Sequence, residues 1–116
     1  MRPRVEFVIR DAQGGMAEAL RAYAVRRLSF ALRRFEHGVR HVTVRLVDLN
    51  GPRRGVDSRC SIAVELVGGR PIFVDATTAW PFASITLAAS RLSEALRREF
   101  GRATAHRAAG ASRHAR

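Results

Sequence analysis

Lysine is absent from this chain of 116 residues, and its ten carboxylates are outnumbered by 21 arginines, for a formal net charge of +11. A small domain with this imbalance repels itself unless a polyanion neutralises it, and the commonest polyanion in a cell is nucleic acid. Arginine suits bidentate contact with phosphate because its guanidinium group is planar and forked. Biased codon usage also explains the missing lysines. Because the net charge is the same under either explanation, it predicts an RNA-binding protein.

Cysteine and long apolar runs are scarce as well. The single Cys60 cannot form an intrachain disulfide, and no spacing of cysteine and histidine resembles a zinc site, so we expect neither a metal nor another cofactor. No apolar run approaches the roughly 20 residues of a membrane span, and the N-terminus lacks the apolar core of a signal peptide. We therefore expect a soluble cytoplasmic protein with no membrane partner.

Groups arranged for catalysis are also missing. Asp48, Asp57 and Asp75 are scattered at predicted strand ends, and no Ser-His-Asp or Cys-His grouping is implied. The Gly-Pro-Arg-Arg-Gly segment at 51–55 does not end in the Gly-Lys-Ser/Thr of a phosphate-binding loop. These absences argue against an enzyme and against a small-molecule substrate.

The periodicity of apolar residues predicts four strands and two helices. Apolar and polar residues alternate near 5–9, 42–46, 60–66 and 72–76, which is typical of strands with one buried face. Steps of three and four residues predict a first helix from about 16 to about 36, with Gly15 as its N-cap and Gly38 as its stop. A second helix is expected to begin with Pro81 in its first turn and to end at Gly101. Gly68 and Gly69 indicate a tight hairpin between the last two strands.

These elements predict an α+β fold in a single domain of order β-α-β-β-β-α. Each strand has one apolar face and each helix one apolar stripe, so both helices are expected on the same face of a four-stranded sheet. The crossover through the first helix predicts that strands one and two are parallel. Residues 102–116 carry arginine and histidine but no acid and have no core periodicity, so we expect a domain of 1–101 followed by a disordered basic tail.

Arginines on the first predicted helix are candidates for RNA contact. Projection at 100° per residue places Arg26 and Arg33 opposite the apolar stripe, and Arg27 and Arg34 on the flank shared by two aromatic residues, Tyr23 and Phe30. Arginines interleaved with aromatic rings suit phosphate contact together with base or sugar packing. The alternative is an ordinary solvated helix face. The lack of acids between Glu18 and Glu36 favours RNA contact.

The second helix and one loop carry further candidates. Arg91, Glu94 and Arg98 form an outward row, with Arg97 nearby and Arg102 just past the expected end. A Glu94–Arg98 pair at four residues would stabilise the helix, so part of this row has a purely structural explanation. In the loop after the second strand, Arg53 and Arg54 follow a proline and could present two guanidinium groups to a phosphate, although a hairpin loop needs no function.

The outer face of the predicted sheet is a poorer candidate. It mixes both signs of charge and has one aromatic residue, Phe73, whereas RNA readers that stack bases on a sheet need two or three exposed rings on adjacent strands. RNA contact is therefore expected on the helical side. The complete set of candidates is Arg21, Arg26, Arg27, Arg33, Arg34, Arg53, Arg54, Arg91, Arg97, Arg98 and Arg102.

Glu18-Ala19-Leu20-Arg21, Arg27-Leu28 and Phe35 resemble the first helix of the ribosome hibernation promoting factor and ribosome-associated inhibitor family. The resemblance covers about residues 4–102, with support from the Gly68-Gly69 hairpin and from Phe82-Ala83-Ser84-Ile85. It implies the same fold and a function in the cell's response to stress. Members bind the small ribosomal subunit in the cleft for messenger and transfer RNA, which blocks translation and protects idle ribosomes.

The same resemblance assigns roles to particular arginines. It implies that the basic positions of the family's helices fall on Arg21, Arg27, Arg33, Arg91, Arg98 and Arg102; the other candidates depend on charge alone. The chain departs from the family pattern where Trp80-Pro81-Phe82 replaces the usual Asp, apolar residue and Tyr, and where Phe30 and Glu94 occupy positions that are often basic. The length resembles that of a short form, and we expect a monomer off the ribosome.

Two other functions fit the sequence. One is a general binder of structured RNA unconnected with the ribosome, and the other is a protein interaction or regulatory module whose arginines only keep it soluble. The basic tail does not indicate whether the chain promotes or opposes ribosome pairing.

Overall fold

The computed structural model describes residues 4–10, 16–48 and 57–114, and its elements follow the predicted order. That order and the α+β class are confirmed. The bounds of the elements are β1 Arg4–Arg10, α1 Met16–Leu32, a 3₁₀ helix Arg33–Gly38, β2 Val39–Asp48, β3 Ser58–Leu66, β4 Ile72–Thr78 and α2 Pro81–His114.

The four strands form one mixed sheet in the order β1-β2-β3-β4. β1 runs parallel to β2, and the other two pairings are antiparallel, as predicted. One row across the sheet pairs Phe7 with Val44, Val44 with Ile62 and Ile62 with Val74. Because neighbours across a sheet point the same way, this register gathers the apolar residues of all four strands on one face.

Both helices pack on that apolar face and share one hydrophobic core with it. The core joins Leu20, Ala24 and Leu28 of α1 to Leu92 and Leu96 of α2 and to the inward residues of the sheet. The other face of the sheet carries no helix in the described part of the chain. The predicted packing of both helices on one side is therefore confirmed.

The two helices lie side by side and run in the same direction. The Tyr23 hydroxyl of α1 hydrogen-bonds the Thr86 hydroxyl of α2. Further along both helices the Phe35 ring, in the 3₁₀ turn, stacks on Phe100 with centroids 4.9 Å apart. Since the second contact lies later than the first in both elements, the helices are parallel and form a continuous layer.

The first helix ends earlier than predicted. Its regular α-helical part stops at Leu32, and 33–38 continue as a 3₁₀ helix that ends at Gly38. Gly38 is needed there for space, because a Cβ atom would overlap the Phe100 ring. The tighter turn brings Phe35 onto Phe100, a tertiary contact that periodicity does not show. The predicted N-cap, Gly15, lies outside the described residues.

The second helix ends later than predicted. It continues past Gly101 to His114, so the predicted end at Gly101 is wrong. Glycine costs about 1 kcal/mol in a helix interior, but the alanines and arginines that follow are strong helix formers and no proline intervenes. The backbone of 102–114 is thus helical where a disordered tail is expected. The division into a domain of 1–101 and a separate tail stays a prediction.

The Gly68-Gly69 hairpin is present between β3 and β4, where Gly69 has a φ of +85°. Such a conformation is strained for residues with a side chain, which explains the glycine. In the stretches that the structure describes, no helix combines the length and the apolar character needed to cross a membrane.

Replacing two glycines with alanine should have opposite effects on stability. We expect Gly38→Ala to lower the free energy of unfolding by about 1–3 kcal/mol, because the new methyl group displaces the Phe100 ring. Gly101→Ala meets open space and should raise it by about 0.5–1 kcal/mol through helix propensity. Urea unfolding followed by circular dichroism measures both. Equal shifts for the two variants would contradict the packing of Gly38 against Phe100.

Cys60 is buried in the sheet, and this burial raises the pKa of its thiol to about 12. The thiolate, which is the reactive form, is therefore scarce in the folded protein at neutral pH. We expect native Cys60 to resist a disulfide reagent at pH 8 and to react fully in denaturant. Because the unfolded thiol ionises near its ordinary pKa, this residue's contribution to stability should fall as the pH rises above about 9. Rapid labelling of the native chain would contradict the burial.

Candidate nucleic-acid interface

The helical layer presents the arginines that the sequence predicts for RNA contact. The apolar stripe of α1 through Leu20, Ala24 and Leu28 faces the core and leaves the polar positions toward solvent. Arg27 is half-buried at the edge of the stripe. The remaining described candidates are exposed, namely Arg21, Arg26, Arg33, Arg34, Arg91, Arg97 and Arg98.

Three arginines of this layer lie against aromatic rings. The Arg26 guanidinium carbon is 5.9 Å from the Tyr23 ring centroid, and that of Arg33 is 5.7 Å from Phe30. A third pair, Arg34 with Phe35, has a separation of 5.7 Å. Residues three apart are neighbours on a helix surface, which brings Arg26 and Arg33 over the rings. The flank that Arg27 and Arg34 share with Tyr23 and Phe30 stays a prediction.

Phe30 is the most exposed of these rings. Its side chain is 73% exposed although it is large and apolar. A cation close to its ring is attracted by the ring quadrupole, which holds the flexible arginine near the aromatic face. This part of α1 therefore presents a positive group and an accessible ring together, which suits a nucleotide with its phosphate and its base.

A second group of arginines borders the groove between the helices. Arg97 lies eleven residues after Thr86 within α2, which is about three helical turns, so it returns to the face of Thr86. Tyr23 and Thr86 touch each other across the groove. Arg97 therefore lies further along the same side of α2, and Arg27 lies one turn after Tyr23 on α1.

A third group lies on the opposite flank of α2, beside β4. Arg91 donates a hydrogen bond to the backbone carbonyl of Asp75, with a distance of 2.6 Å. Arg98 and Arg91 line one shallow depression with Val74. The structure therefore separates Arg91 and Arg98 from Arg97, and Arg91 has a structural contact with the sheet.

Carboxylates neutralise few of the helical arginines. Arg97 pairs with Glu94 at 3.3 Å, and both side chains are 61% exposed. The predicted Glu94–Arg98 pair is wrong, since Glu94 binds the arginine three residues on. Exposed pairs of this kind contribute less than about 1 kcal/mol, so Arg97 is readily released to a phosphate. Within the described ranges, no carboxylate pairs with the candidates on α1 and its 3₁₀ extension, namely Arg21, Arg26, Arg27, Arg33 and Arg34.

The outer face of the sheet carries both signs of charge. Arg59 binds Asp75 at 2.6 Å, and His41 Nε2 lies 3.3 Å from Glu6 Oε1. Exposed arginines also occur outside the helices, at Arg4, Arg40, Arg45 and Arg70. Exposed arginines therefore occur on both sides of the protein. The helical side is distinguished by arginines that lie next to aromatic rings and have no carboxylate partner.

Three predicted candidates have no described side chain. Arg53 and Arg54 lie outside the described residues, and only the backbone of Arg102, within α2, is described. Their part in RNA contact stays a prediction.

Sequence reasoning missed one exposed ring of the helical side. Trp80, just before α2, is 56% exposed. Its indole lies 5.6 Å from the Phe82 ring, which in turn meets Tyr23 edge-on at 5.3 Å. The sequence did contain a signal for this exposed ring. Proline favours the first position of a helix, so the tryptophan immediately before Pro81 is expected to lie outside the helix.

Comparison with known proteins finds likeness in fold. No protein-family model matches the chain, and no curated protein matches its sequence. The N-terminal domain of Protein Y from Thermus thermophilus is similar, with a TM-score of 0.65 and 24% identity over 84% of this chain and 98% of that one. A ribosomal subunit interface protein from Coxiella burnetii has a TM-score of 0.62 and 13% identity, over 82% and 94%. The chain thus has the fold of these two proteins along nearly their whole solved length.

Proposed function

We propose that this protein is a ribosome-associated translation inhibitor and hibernation factor that binds RNA of the small subunit through the arginines of its helical side. One observation carries the proposal: the exposed arginines of α1 and its 3₁₀ extension have no carboxylate partner in the described structure, and Arg26 and Arg33 among them lie beside aromatic rings. The shared fold with a ribosomal subunit interface protein supports the choice of the ribosome as partner.

Binding on this surface is electrostatic. Each arginine that neutralises a phosphate releases a condensed counterion, so the logarithm of the affinity falls with the logarithm of salt concentration by about 0.7–0.9 per phosphate. Cations without internal partners, such as Arg26 and Arg33, lose no ion pair when they bind. Their neighbouring rings supply flat apolar surface for sugars and bases.

The action is occupancy and needs no chemical step. The family resemblance implies a position in the cleft where messenger and transfer RNA lie, and the bulk of the sheet would exclude transfer RNA from it. The arginine distribution fits inhibition by occupancy, because the helical layer would contact the phosphates while the sheet would fill the space of the cleft. We infer that the protein acts in the cytoplasm as a monomer without a cofactor or a small-molecule substrate.

A matched pair of charge variants tests the proposal. The helical variant replaces Arg26, Arg33, Arg34 and Arg98 with glutamine, and the control variant replaces Arg4, Arg40, Arg45 and Arg70, all of which are exposed. Both lose four charges. We expect the helical variant to lose about tenfold or more in affinity for vacant small subunits and to lower the salt slope by roughly three. The control variant should bind almost as the parent chain does.

Cosedimentation with subunits over a range of salt measures these affinities, and filter binding to a generic RNA duplex separates the alternatives. Equal losses in the two variants would show that only net charge matters. Equal affinity for subunits and duplex would favour a general binder of structured RNA. A chain that binds no RNA would favour a protein interaction module, and each of these three outcomes contradicts the proposal.

A further inference from the structure

An aromatic ladder crosses the helical side at the beginning of α2. It consists of the rings of Trp80, Phe82 and Tyr23, each in contact with the next. Phe82 and Tyr23 are half-buried, whereas 56% of Trp80 is open to solvent. The outermost ring therefore has a supported side against Phe82 and a free surface.

Hydrogen bonds fix the backbone that carries the outermost ring. The Trp80 N–H donates to the Thr78 hydroxyl at 3.2 Å, and that hydroxyl donates to the Trp80 carbonyl at 2.7 Å. The same carbonyl accepts the N–H of Ser84 at 3.0 Å. The backbone that carries the exposed indole is thus anchored, which reduces the conformational freedom lost when something stacks on the ring.

Positive charge lies at the inner end of the ladder. The Arg26 guanidinium group stands over Tyr23, the ring that ends the ladder on α1. No carboxylate pairs with Arg26 among the residues that the structure describes. A ligand that spans from Trp80 to Arg26 would meet a flat apolar face and then a free cation, which matches a base and a phosphate of the same nucleic-acid strand.

We propose that this ladder is a stacking site for an unpaired nucleobase of single-stranded RNA, with Trp80 as the platform and Arg26 as the phosphate contact. This inference deepens the proposed function and rests on it, since it states which feature of the RNA the helical side recognises. A base in the interior of a duplex cannot reach the indole face without leaving its stack. The site therefore distinguishes unpaired from double-stranded segments.

The lone tryptophan of the chain makes the site directly observable. We expect a 12-residue oligoadenylate to quench Trp80 fluorescence by more than half, because stacking brings adenine onto the indole. A 12-residue abasic ribose phosphate should bind through charge and leave the fluorescence nearly unchanged, and a 12-base-pair duplex, which offers only its two terminal pairs for stacking, should quench far less than the oligoadenylate. Quenching of equal size by all three probes would overturn the proposal.

Affinities of labelled RNA, measured by fluorescence anisotropy, test the residue itself. The parent chain should bind the oligoadenylate about tenfold more tightly than the abasic strand. Trp80→Ala should abolish that preference, and Trp80→Phe should retain most of it. Phe73→Ala, which removes a 63% exposed ring from the sheet, is the matched control and should leave the preference intact.

The outcomes distinguish this inference from the proposed function. If Trp80→Ala keeps the preference for bases, the ladder is not the stacking site, even though the arginine variants still lose the ribosome. If Trp80→Ala keeps the preference and also loses small subunits, the indole is a protein contact and the inference is wrong. If the parent chain binds none of the RNAs, the proposed function itself fails. Thermal unfolding of both Trp80 variants confirms that each is folded.

Discussion

The apolar faces of two parallel helices, seated on one face of a four-stranded sheet, are the constraint on which the other features depend. Leu28 and Leu92 point into the same core, and each helix has its polar positions directed away from it. Burying apolar residues gains about 25 cal/mol per Å² of surface, whereas burying an unpaired guanidinium group is costly. Arginines on these helices therefore face solvent together. The helical layer that covers the core therefore also carries exposed arginines.

Ion pairs within the protein then decide which arginines remain available to bind an external anion. On the sheet, Arg59 is held by Asp75, and on α2, Arg97 is held loosely by Glu94. On α1 and its 3₁₀ extension, Arg26 and Arg33 lie over aromatic rings, which orient a guanidinium group without neutralising it. Unpaired cations and aromatic rings thus lie together on the helical side, and the exposed Trp80 adds a further ring just before α2.

Period-two and period-3.6 patterns were sufficient to predict the fold class, the order of elements, the parallel β1–β2 pair and the side on which the helices pack. They failed at the ends of both helices. The 3₁₀ turn that begins at Arg33 accompanies a tertiary contact, the stack of Phe35 on Phe100, whereas α2 continues because local helix propensity beyond Gly101 outweighs the glycine. Exposure of the arginines followed from the pattern, but their partners did not, because a one-residue difference in spacing decides which ring or carboxylate is reached.

Electron cryo-microscopy of the chain bound to vacant small subunits tests the central claim most directly. The account predicts that α1 and α2 face the ribosomal RNA, with Arg26 and Arg33 within about 4 Å of phosphate oxygens, and that the open face of the sheet points away from the RNA. Density that places the sheet face against the RNA and turns the helices toward solvent would contradict it.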